Sequence, residues 1–392
     1  MPESIVIVGA KRTPIGAMQG KFNALSAPQL GAVAIKAAVE QAGLGPADVD
    51  DLIMGCVLPA GQGQAPARQA ALAAGLDKAT PCTTVNKMCG SGMKAAMMAA
   101  GEILAGDATV VVAGGMESMT NAPHLLPKAR AGYRYGHQKI LDHMAFDGLE
   151  NAYDGRPMGH FADKTAEKYG FTREQMDAYA RESTARAVNA SKSGLFADEI
   201  APVTLAGRKG EEVVKDDETP FAVNVEKIPQ LRPAFNKDGL VTAATSSSIS
   251  DGAAALVLMA ESEATRRGAS PLARIVAHAS HAHEPEWFTT APVGAIGKTL
   301  ARAGWKAGDV DLYEINEAFA VVTMAAMKDL GIPPERVNVN GGAVALGHPI
   351  GATGARIITT LIYALKKRGL GKGVAALCIG GGEASAVALE IL

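Results

Sequence analysis

The chain has 392 residues, of which 48% are hydrophobic and 20% charged, and its formal net charge is −2. This length suffices for more than one hydrophobic core, and the near-neutral charge gives no electrostatic reason to expect a nucleic-acid partner or an anionic membrane surface. Four irregularly spaced cysteines match neither a disulfide framework nor a zinc pattern, so we expect no metal site and a reducing, cytoplasmic setting.

The first elements alternate between strands and helices. Apolar patterning predicts a strand over 4–9, a helix over 27–42, a strand over 51–57 and a helix over 65–74. No basic stretch followed by a long apolar core precedes the first strand, so we expect no secretory signal. We also expect no membrane span, because no apolar run is long enough for one.

Cys89 lies between a β-prone run over 80–85 and an Ala- and Met-rich segment over 93–104, which predicts a helix. A helix N-terminus carries unsatisfied N–H groups and a partial positive charge, which favour a thiolate. Gly90 and Gly92 are predicted to let the backbone turn sharply and a substrate approach. The alternative is an unreactive buried cysteine, which is the common fate of a free thiol.

The character of the chain changes after a strand predicted over 109–115, whose wholly apolar sequence is typical of burial on both faces. From about 119 to 249, prolines, glycines and charges increase and the strand–helix alternation fades. This stretch contains a charged helix predicted over 161–190 and a polar hairpin or loop predicted over 208–219. We interpret residues 119–249 as an inserted domain.

The opening pattern returns after the insertion. Residues 303–311 (AGWKAGDVD) match 42–50 (AGLGPADVD), and the apolar run 374–380 matches the strand over 109–115. Self-similarity at this scale predicts two related units that pack pseudosymmetrically, with mixed or parallel sheets covered by helices.

The predicted organisation is therefore an α/β fold of duplicated halves. The N-terminal half comprises residues 1–118 and 250–270, the inserted domain 119–249, and the C-terminal half 271–392. In open α/β folds, ligand sites form at the ends of the strands. Residues that follow strands in both halves are therefore the candidates for a common site.

Three such residues accompany Cys89. His348 lies between Gly347 and Pro349 in a glycine-rich turn, Cys378 precedes three glycines, and Asn316 follows a short strand. Each has a structural alternative: a neutral buried histidine, a buried strand cysteine, and a helix N-cap. Together, two thiols, an imidazole and bare glycine N–H groups favour acyl transfer through a thioester.

The motifs that contain these residues are long and specific. They are VNKMCGSGMKA (85–95), NEAFA (316–320), NVNGGAVALGHPIGATGAR (338–356) and CIGGG (378–382), with support from LRPAF (231–235) and DGAAAL (251–256). Through them the sequence resembles, nearly end to end, the thiolase family, and within it the enzymes of acetyl-CoA acetyltransferase type. The resemblance implies a five-layer αβαβα arrangement with an inserted loop domain.

The resemblance also implies a role for each catalytic residue. Cys89 would be the nucleophile that becomes acetylated, activated by His348, and Cys378 would exchange the α-proton of the second acetyl-CoA. Asn316, through a water, and His348 would form one oxyanion hole, and the N–H groups of Cys89 and Gly380 the other. The implied reaction is the reversible condensation of two acetyl-CoA into acetoacetyl-CoA and CoA, in fatty acid metabolism.

The resemblance implies that coenzyme A is itself the carrier, with no other cofactor. The residues expected to line its pocket are Met158, Phe235, Ala243, Ser247, Ala318 and Phe319. Members of the family are dimers, often dimers of dimers, so we expect a homodimer or homotetramer, with tetramer contacts from a loop near 125–140.

Three alternatives remain open. Departures from the family pattern, at Pro157 and over 245–250 for example, favour a degradative 3-ketoacyl-CoA thiolase that acts on longer or substituted chains. A decarboxylating condensing enzyme of the same superfamily typically has a histidine where this chain has Cys378. A non-catalytic acyl-binding scaffold would be expected to have lost the nucleophile or the base.

Overall fold

The structure is a computed structural model that describes residues 3–207 and 210–392. Over these residues the strands are β1 (Ile5–Arg12), β2 (Gly16–Ala17), β3 (Asp51–Gly55), β4 (Cys82–Val85), β5 (Val110–Ser118), β6 (His124–Leu125), β7 (Leu141–Asp142), β8 (Val203–Gly207), β9 (Gly210–Val214), β10 (Ser250–Ala260), β11 (Ala273–Ala282), β12 (Leu312–Ile315), β13 (Lys372–Ile379) and β14 (Glu383–Ile391). The α-helices are α1 (Ala27–Gln41), α2 (Pro66–Ala73), α3 (Ser91–Ala105), α4 (Met158–Tyr169), α5 (Arg173–Lys192), α6 (Glu261–Arg267), α7 (Ala291–Ala303), α8 (Ala320–Leu330), α9 (Ala343–Leu346) and α10 (Thr353–Arg368).

A ten-stranded mixed sheet runs through the described part of the chain. Its order is β12-β13-β14-β11-β1-β10-β5-β3-β4, and β2 pairs with β10. The pairs β12–β13, β3–β4 and β3–β5 are parallel, and the other pairs are antiparallel. The predicted mixed sheet is confirmed, and its two halves join where residues 5–7 of β1 pair with β11.

Helices cover both faces of each half-sheet. Helices α1 and α2 pack on the outer face of the N-terminal half, and α7 packs on the outer face of the C-terminal half. Helices α3 and α10 lie between the halves, where Met93, Ile358 and Leu377 belong to one buried core. This arrangement gives the five expected layers. It also explains why all nine residues of β5 are buried, since such a strand has no solvent-facing side.

The two halves repeat the same local contacts, as the sequence repeat predicted. Asp50 accepts hydrogen bonds from two successive backbone N–H groups at the start of β5, and Asp311 does the same at the start of β13. Before them, Pro46–Asp48 and Ala307–Asp309 form equivalent 3₁₀ turns. The matched Asp-Val-Asp sequences thus mark one structural unit used twice.

Residues 119–249, as far as they are described, add two small hairpins outside the large sheet, β6–β7 and β8–β9. Residues 161–190 are helical as predicted, except for a break after Tyr169 that divides them between α4 and α5. Gly170, with φ of 65°, ends α4, and the side chain of Thr172 caps α5 by accepting a hydrogen bond from the Gln175 N–H. A left-handed glycine followed by a capping box is the usual signal for such a break.

The polar hairpin predicted over 208–219 begins earlier, since its strands β8 and β9 lie on either side of 208–209. Arg208 and Lys209 themselves are outside the described residues. The boundaries assigned to the inserted domain stay a prediction. Within the described ranges, no helix combines the length and the apolar character needed to cross a membrane.

Candidate active site

Cys89 lies in the turn between β4 and α3, which confirms the predicted strand–turn–helix setting. The left-handed residue of this turn is Met88, with φ of 48°, rather than either neighbouring glycine. The Ser91 hydroxyl stabilises the turn by accepting the Lys87 N–H at 2.8 Å and donating to the Met88 carbonyl at 2.7 Å. A methionine with positive φ is strained, and such strain persists only where the surroundings hold it.

The two glycines after Cys89 are needed for close packing, not for the turn itself. A Cβ on Gly90 would overlap the Ile379 side chain, and one on Gly92 would lie 2.9 Å from the Ala355 nitrogen. Glycine here therefore lets the start of α3 approach both β13 and α10.

The Cys89 thiol is neutral in the resting site. Burial raises its pKa to about 11, although the nearby backbone N–H groups of Gly380 and of Cys89 itself oppose the rise. Desolvation therefore outweighs the helix N-terminus, which was expected to favour a thiolate. The same N–H groups lie where they could later receive a negative oxygen.

His348 is buried and held by two side chains. Its Nδ1 lies 2.6 Å from the Thr353 hydroxyl, and its Nε2 lies 3.4 Å from the Asn316 amide nitrogen. The Thr353 hydroxyl donates its own proton to the Pro349 carbonyl, so it accepts from Nδ1–H. This network assigns the lone pair to Nε2. Burial, with a contribution from Arg356, lowers the pKa of His348 to about 3, so the ring is a neutral base.

Asn316 follows β12 and is almost fully buried. It is not the N-cap of α8, because that helix begins at Ala320 and its N-cap is Phe319. Its side-chain oxygen has no hydrogen-bond partner within the described protein. A buried amide oxygen without a partner needs a polar group, such as a water or a substrate, to satisfy it.

Cys378 is buried near the end of β13 and belongs to an apolar cluster with Phe319 and Ala318. Burial raises the pKa of its thiol well above the ordinary value, and the nearby Cys89 raises it further. Gly380 follows the strand, and its backbone N–H reaches Cys89. The structure therefore brings Cys89, Cys378 and Gly380 together, and it pairs Asn316 with His348. Their individual roles stay predictions.

Four of the six residues expected to line the coenzyme A pocket pack together in one apolar cluster. Met158, Phe235, Ala318 and Phe319 pack in the same apolar cluster as Cys378, and the Phe235 and Phe319 rings meet edge to face at 5.8 Å. Ser247 donates both its N–H and its hydroxyl to the Ala318 carbonyl at 3.0 Å. Ala243 is exposed, outside this cluster.

A cavity of about 360 Å³ opens beside the reactive residues. Met88, Met158 and Gly380 line one part of it, and the segment from Phe146 to Gly155 lines the rest. Its walls therefore combine the catalytic turns with the inserted segment.

Sequence reasoning missed Glu117, a fully buried carboxylate at the end of β5. It accepts hydrogen bonds from the N–H groups of Val57, Leu58 and Gly351 at 2.9 to 3.1 Å. Burial raises its pKa to about 7 despite these three donors. Gly351 lies three residues after His348, so Glu117 helps to hold the histidine turn. The available signal was a charged residue that directly continues a wholly apolar strand.

Glu317 was also missed, although it lies inside a recognised motif. Its carboxylate accepts from the Tyr179 hydroxyl, the Ser183 hydroxyl and the Asn338 amide. These partners lie on α5 and in the loop before α9, so Glu317 ties the segment after Asn316 to the inserted domain. Over residues 3–207 and 210–392, no three His, Cys, Asp or Glu side chains are grouped so as to hold a metal ion.

Comparisons with known proteins agree over the whole chain. An acetyl-CoA acetyltransferase of Schizosaccharomyces pombe is 48% identical over 388 residues, 98% of each chain. Acetyl-CoA acetyltransferase 2 of Arabidopsis thaliana is 51% identical over 394 residues, which cover 100% of this chain and 98% of the relative. The Acat5 thiolase of Ascaris suum, solved in complex with coenzyme A, superimposes with a TM-score of 0.94 at 43% identity and full coverage of both chains.

Two family models divide the chain between them. The model described as the thiolase N-terminal domain matches residues 5–262, and the model described as the thiolase C-terminal domain matches residues 269–391. With the duplicated fold and the motifs at its strand ends, these matches establish that the chain belongs to the thiolase family.

Proposed function

We propose that this protein is an acetyl-CoA C-acetyltransferase that condenses two acetyl-CoA into acetoacetyl-CoA and CoA, reversibly. The observation that carries the proposal is that Cys89 and Cys378 lie close together beside the Gly380 backbone, while the neutral His348 lies 3.4 Å from Asn316. The relatives named acetyl-CoA acetyltransferase support it, and so does the coenzyme A complex of the Ascaris suum thiolase.

In the first half-reaction, His348 Nε2 takes the proton of the Cys89 thiol as the sulfur attacks the thioester carbonyl of acetyl-CoA. The negative oxygen of the tetrahedral intermediate is stabilised by preorganised N–H donors. The intermediate then collapses, the C–S bond to coenzyme A breaks, and the leaving sulfur takes the proton of Cys378. The products are acetyl-Cys89, free CoA, the Cys378 thiolate and the protonated His348.

In the second half-reaction, the Cys378 thiolate removes a proton from the methyl carbon of another acetyl-CoA. Asn316 and His348 face the developing enolate oxygen, and the unpartnered oxygen of Asn316 would orient the intervening water. The carbanion attacks acetyl-Cys89, and the new oxyanion again meets the N–H groups of Cys89 and Gly380. Collapse releases acetoacetyl-CoA, and the Cys89 sulfur recovers its proton from His348.

This division of labour suits a buried Cys378 and a half-buried Cys89. Thiol and imidazole are both neutral before substrate arrives, so no charge is left unpaired in the apolar pocket. The carriers are coenzyme A thioesters, and we propose that no further cofactor takes part. Met158, Phe235 and Phe319 would pack along the pantetheine chain, and Ala243 and Ser247 would contribute from the inserted segment.

A cysteine-to-alanine variant tests the mechanism. The Cys89→Ala variant should show no acetylation after mixing with acetyl-CoA and no turnover, whereas the parent protein should gain one acetyl group on Cys89, measured by peptide mass spectrometry. A Cys82→Ala variant is the matched control, because Cys82 lies on β4 and takes no part in the proposed chemistry. Full activity in Cys89→Ala would overturn the proposal.

The competing function is a degradative 3-ketoacyl-CoA thiolase for longer or substituted chains. The cavity lined by Met88 and Tyr153 is the specific feature in its favour, since it could take a longer acyl group. Initial thiolysis rates over a series from acetoacetyl-CoA to long 3-ketoacyl-CoA distinguish the two. A sharp preference for acetoacetyl-CoA supports the acetyltransferase, and a preference for long chains supports the degradative enzyme.

We further propose a cytoplasmic homodimer or homotetramer that acts in fatty acid metabolism. All four cysteines are free thiols, as expected in a reducing compartment. Several large apolar side chains in and after the predicted tetramer loop are exposed on the single chain, namely Leu126, Tyr133, Tyr135, Ile140, Phe146 and Tyr153. Contiguous exposed apolar side chains of this kind usually mark a contact surface.

A further inference from the structure

An ion pair joins the two turns that supply the proposed oxyanion hole. The Lys87 ammonium pairs with the Glu383 carboxylate, and their side chains are 23% and 37% exposed. Lys87 lies two residues before Cys89 and Glu383 lies three residues after Gly380. The pair therefore connects the start of one catalytic turn to the end of the other.

Both turns depend on outside support to keep their shape. Met88 has a left-handed φ of 48°, and Gly381 and Gly382 have φ of 95° and 86°. The glycine turn is held on one side by the hydrogen bond from the His283 N–H to the Gly382 carbonyl. The nucleophile turn is held by Ser91. These contacts fix each turn separately and do not set the distance between them.

Side-chain contacts do link the turns to each other. They include the packing of Ile379 against Gly90, the approach of Met88 to Gly380, and the Lys87–Glu383 ion pair. Apolar packing is not directional, whereas the ion pair adds a charge-assisted contact that specifically opposes separation of the two turns. The backbone of Gly380 lies near the Cys89 sulfur.

We propose that Lys87 and Glu383 are a positioning pair, which holds the Gly380 N–H in register with the Cys89 N–H for the oxyanion of the tetrahedral intermediates. The inference rests on the proposed function. It adds Lys87 and Glu383 to the proposed mechanism as positioning residues, which touch neither the substrate nor the reacting atoms. Because oxyanion donors act only when correctly aimed, loosening the turns should lower kcat more than it raises KM.

The test is a double-mutant cycle on the full-length protein with Glu383→Gln, Lys87→Met and the two combined. Each single variant should lower kcat by about tenfold, since small misplacements of catalytic groups have effects of this order. The KM for acetoacetyl-CoA and for CoA should change less than twofold. The combined variant should be no slower than either single variant, because the pair is already broken. Glu212→Gln is the matched control, since it breaks the exposed Lys21–Glu212 pair away from the site.

A charge-swapped variant with Lys87→Glu and Glu383→Lys separates positioning from folding. Recovery of at least half of the lost kcat would support the proposal, and thermal unfolding of every variant checks its fold. Losses in kcat that multiply in the double variant would overturn it. So would a rise in KM at unchanged kcat, which would mean that the two residues bind substrate directly. If the parent protein instead failed to become acetylated on Cys89, the proposed function itself would fail, whatever the variants did.

Discussion

The protonation of His348 is decided by a neighbouring threonine. Thr353 donates its hydroxyl proton to the Pro349 carbonyl, and this leaves its lone pairs free for the Nδ1–H of the ring. The base is then Nε2, the nitrogen nearest Asn316. Thr353 lies at the start of α10, so the helix fixes its position relative to the histidine turn.

A Thr353→Val variant should lose about tenfold to a hundredfold in kcat, because the imidazole is then free to adopt the unproductive tautomer. The shape of the side chain is nearly unchanged, so the unfolding transition should move little. Thr353→Ser keeps the hydroxyl and serves as the control, with kcat expected near that of the parent. Equal rates for all three proteins would contradict the assigned tautomer. Steady-state thiolysis of acetoacetyl-CoA measures each rate.

Glu117 should make the stability of the protein depend on pH. Burial raises its folded pKa from 4.5 to about 7, so the folded state holds a proton that the unfolded state releases. The stability due to Glu117 is therefore fully present below the unfolded pKa and is lost as pH rises through about 7.

The comparison to make is the unfolding free energy of the parent protein and of Glu117→Gln, measured by urea titration from about pH 5 to about pH 8. The variant should be less stable overall, because an amide cannot accept all three N–H groups that Glu117 accepts. The difference in unfolding free energy between the parent protein and the variant should shrink as pH rises, by up to about 1.4 kcal/mol per pH unit. A constant difference would show that Glu117 titrates alike in both states.

Among the elements, the pair α3 and α10 decides where the reactive turns meet. Each helix begins just after a catalytic turn, and glycines let their first residues approach closely. A Cβ on Gly354 of α10 would overlap the backbone of Met93 on α3. Gly101, also on α3, has open space around its Cα.

These two glycines should respond oppositely to alanine. Gly354→Ala should destabilise the fold by about 2 kcal/mol or more and lower activity, because the helices must separate. Gly101→Ala should stabilise it by about 0.5 to 1 kcal/mol, since alanine is the better helix former. Urea midpoints and thiolysis rates of both variants provide the measurement. A stable, fully active Gly354→Ala protein would show that the contact of α3 and α10 is not limiting.

For the whole molecule, the exposed apolar side chains of the 125–140 loop predict assembly. Tyr135 is fully exposed and Ile140 is 64% exposed on the single chain. Combining Tyr135→Asp with Ile140→Asp should halve the mass of a tetramer in light scattering, with Cys89 acetylation retained in the dimer. Leu104→Asp, on an exposed apolar residue at the end of α3, is the control and should leave the mass unchanged. An unaltered tetramer in the loop variant would exclude this loop from the interface.

Sequence patterns sufficed for most of the fold and for the candidate residues. Apolar runs such as that of β5 reveal buried strands, because a strand covered on both faces must be apolar throughout. The repeated Asp-Val-Asp stretches were informative because Asp50 and Asp311 bond to the backbone of a nearby strand. The break at Gly170 was missed because a charged pattern continues across it.

Only the folded chain shows the protonation state of Cys89, the tautomer of His348 and the contacts that hold the catalytic turns in place. The Cys89 sulfur lies near a helix N-terminus, as its sequence indicates, yet burial by distant segments keeps it a thiol. Glu117 holds a turn far away in the sequence, and the Lys87–Glu383 pair joins two turns that are far apart in the sequence. Residue types and local spacing therefore determined which groups could react. Desolvation and long-range partners, which exist only after the halves pack together, determined the state in which those groups are held.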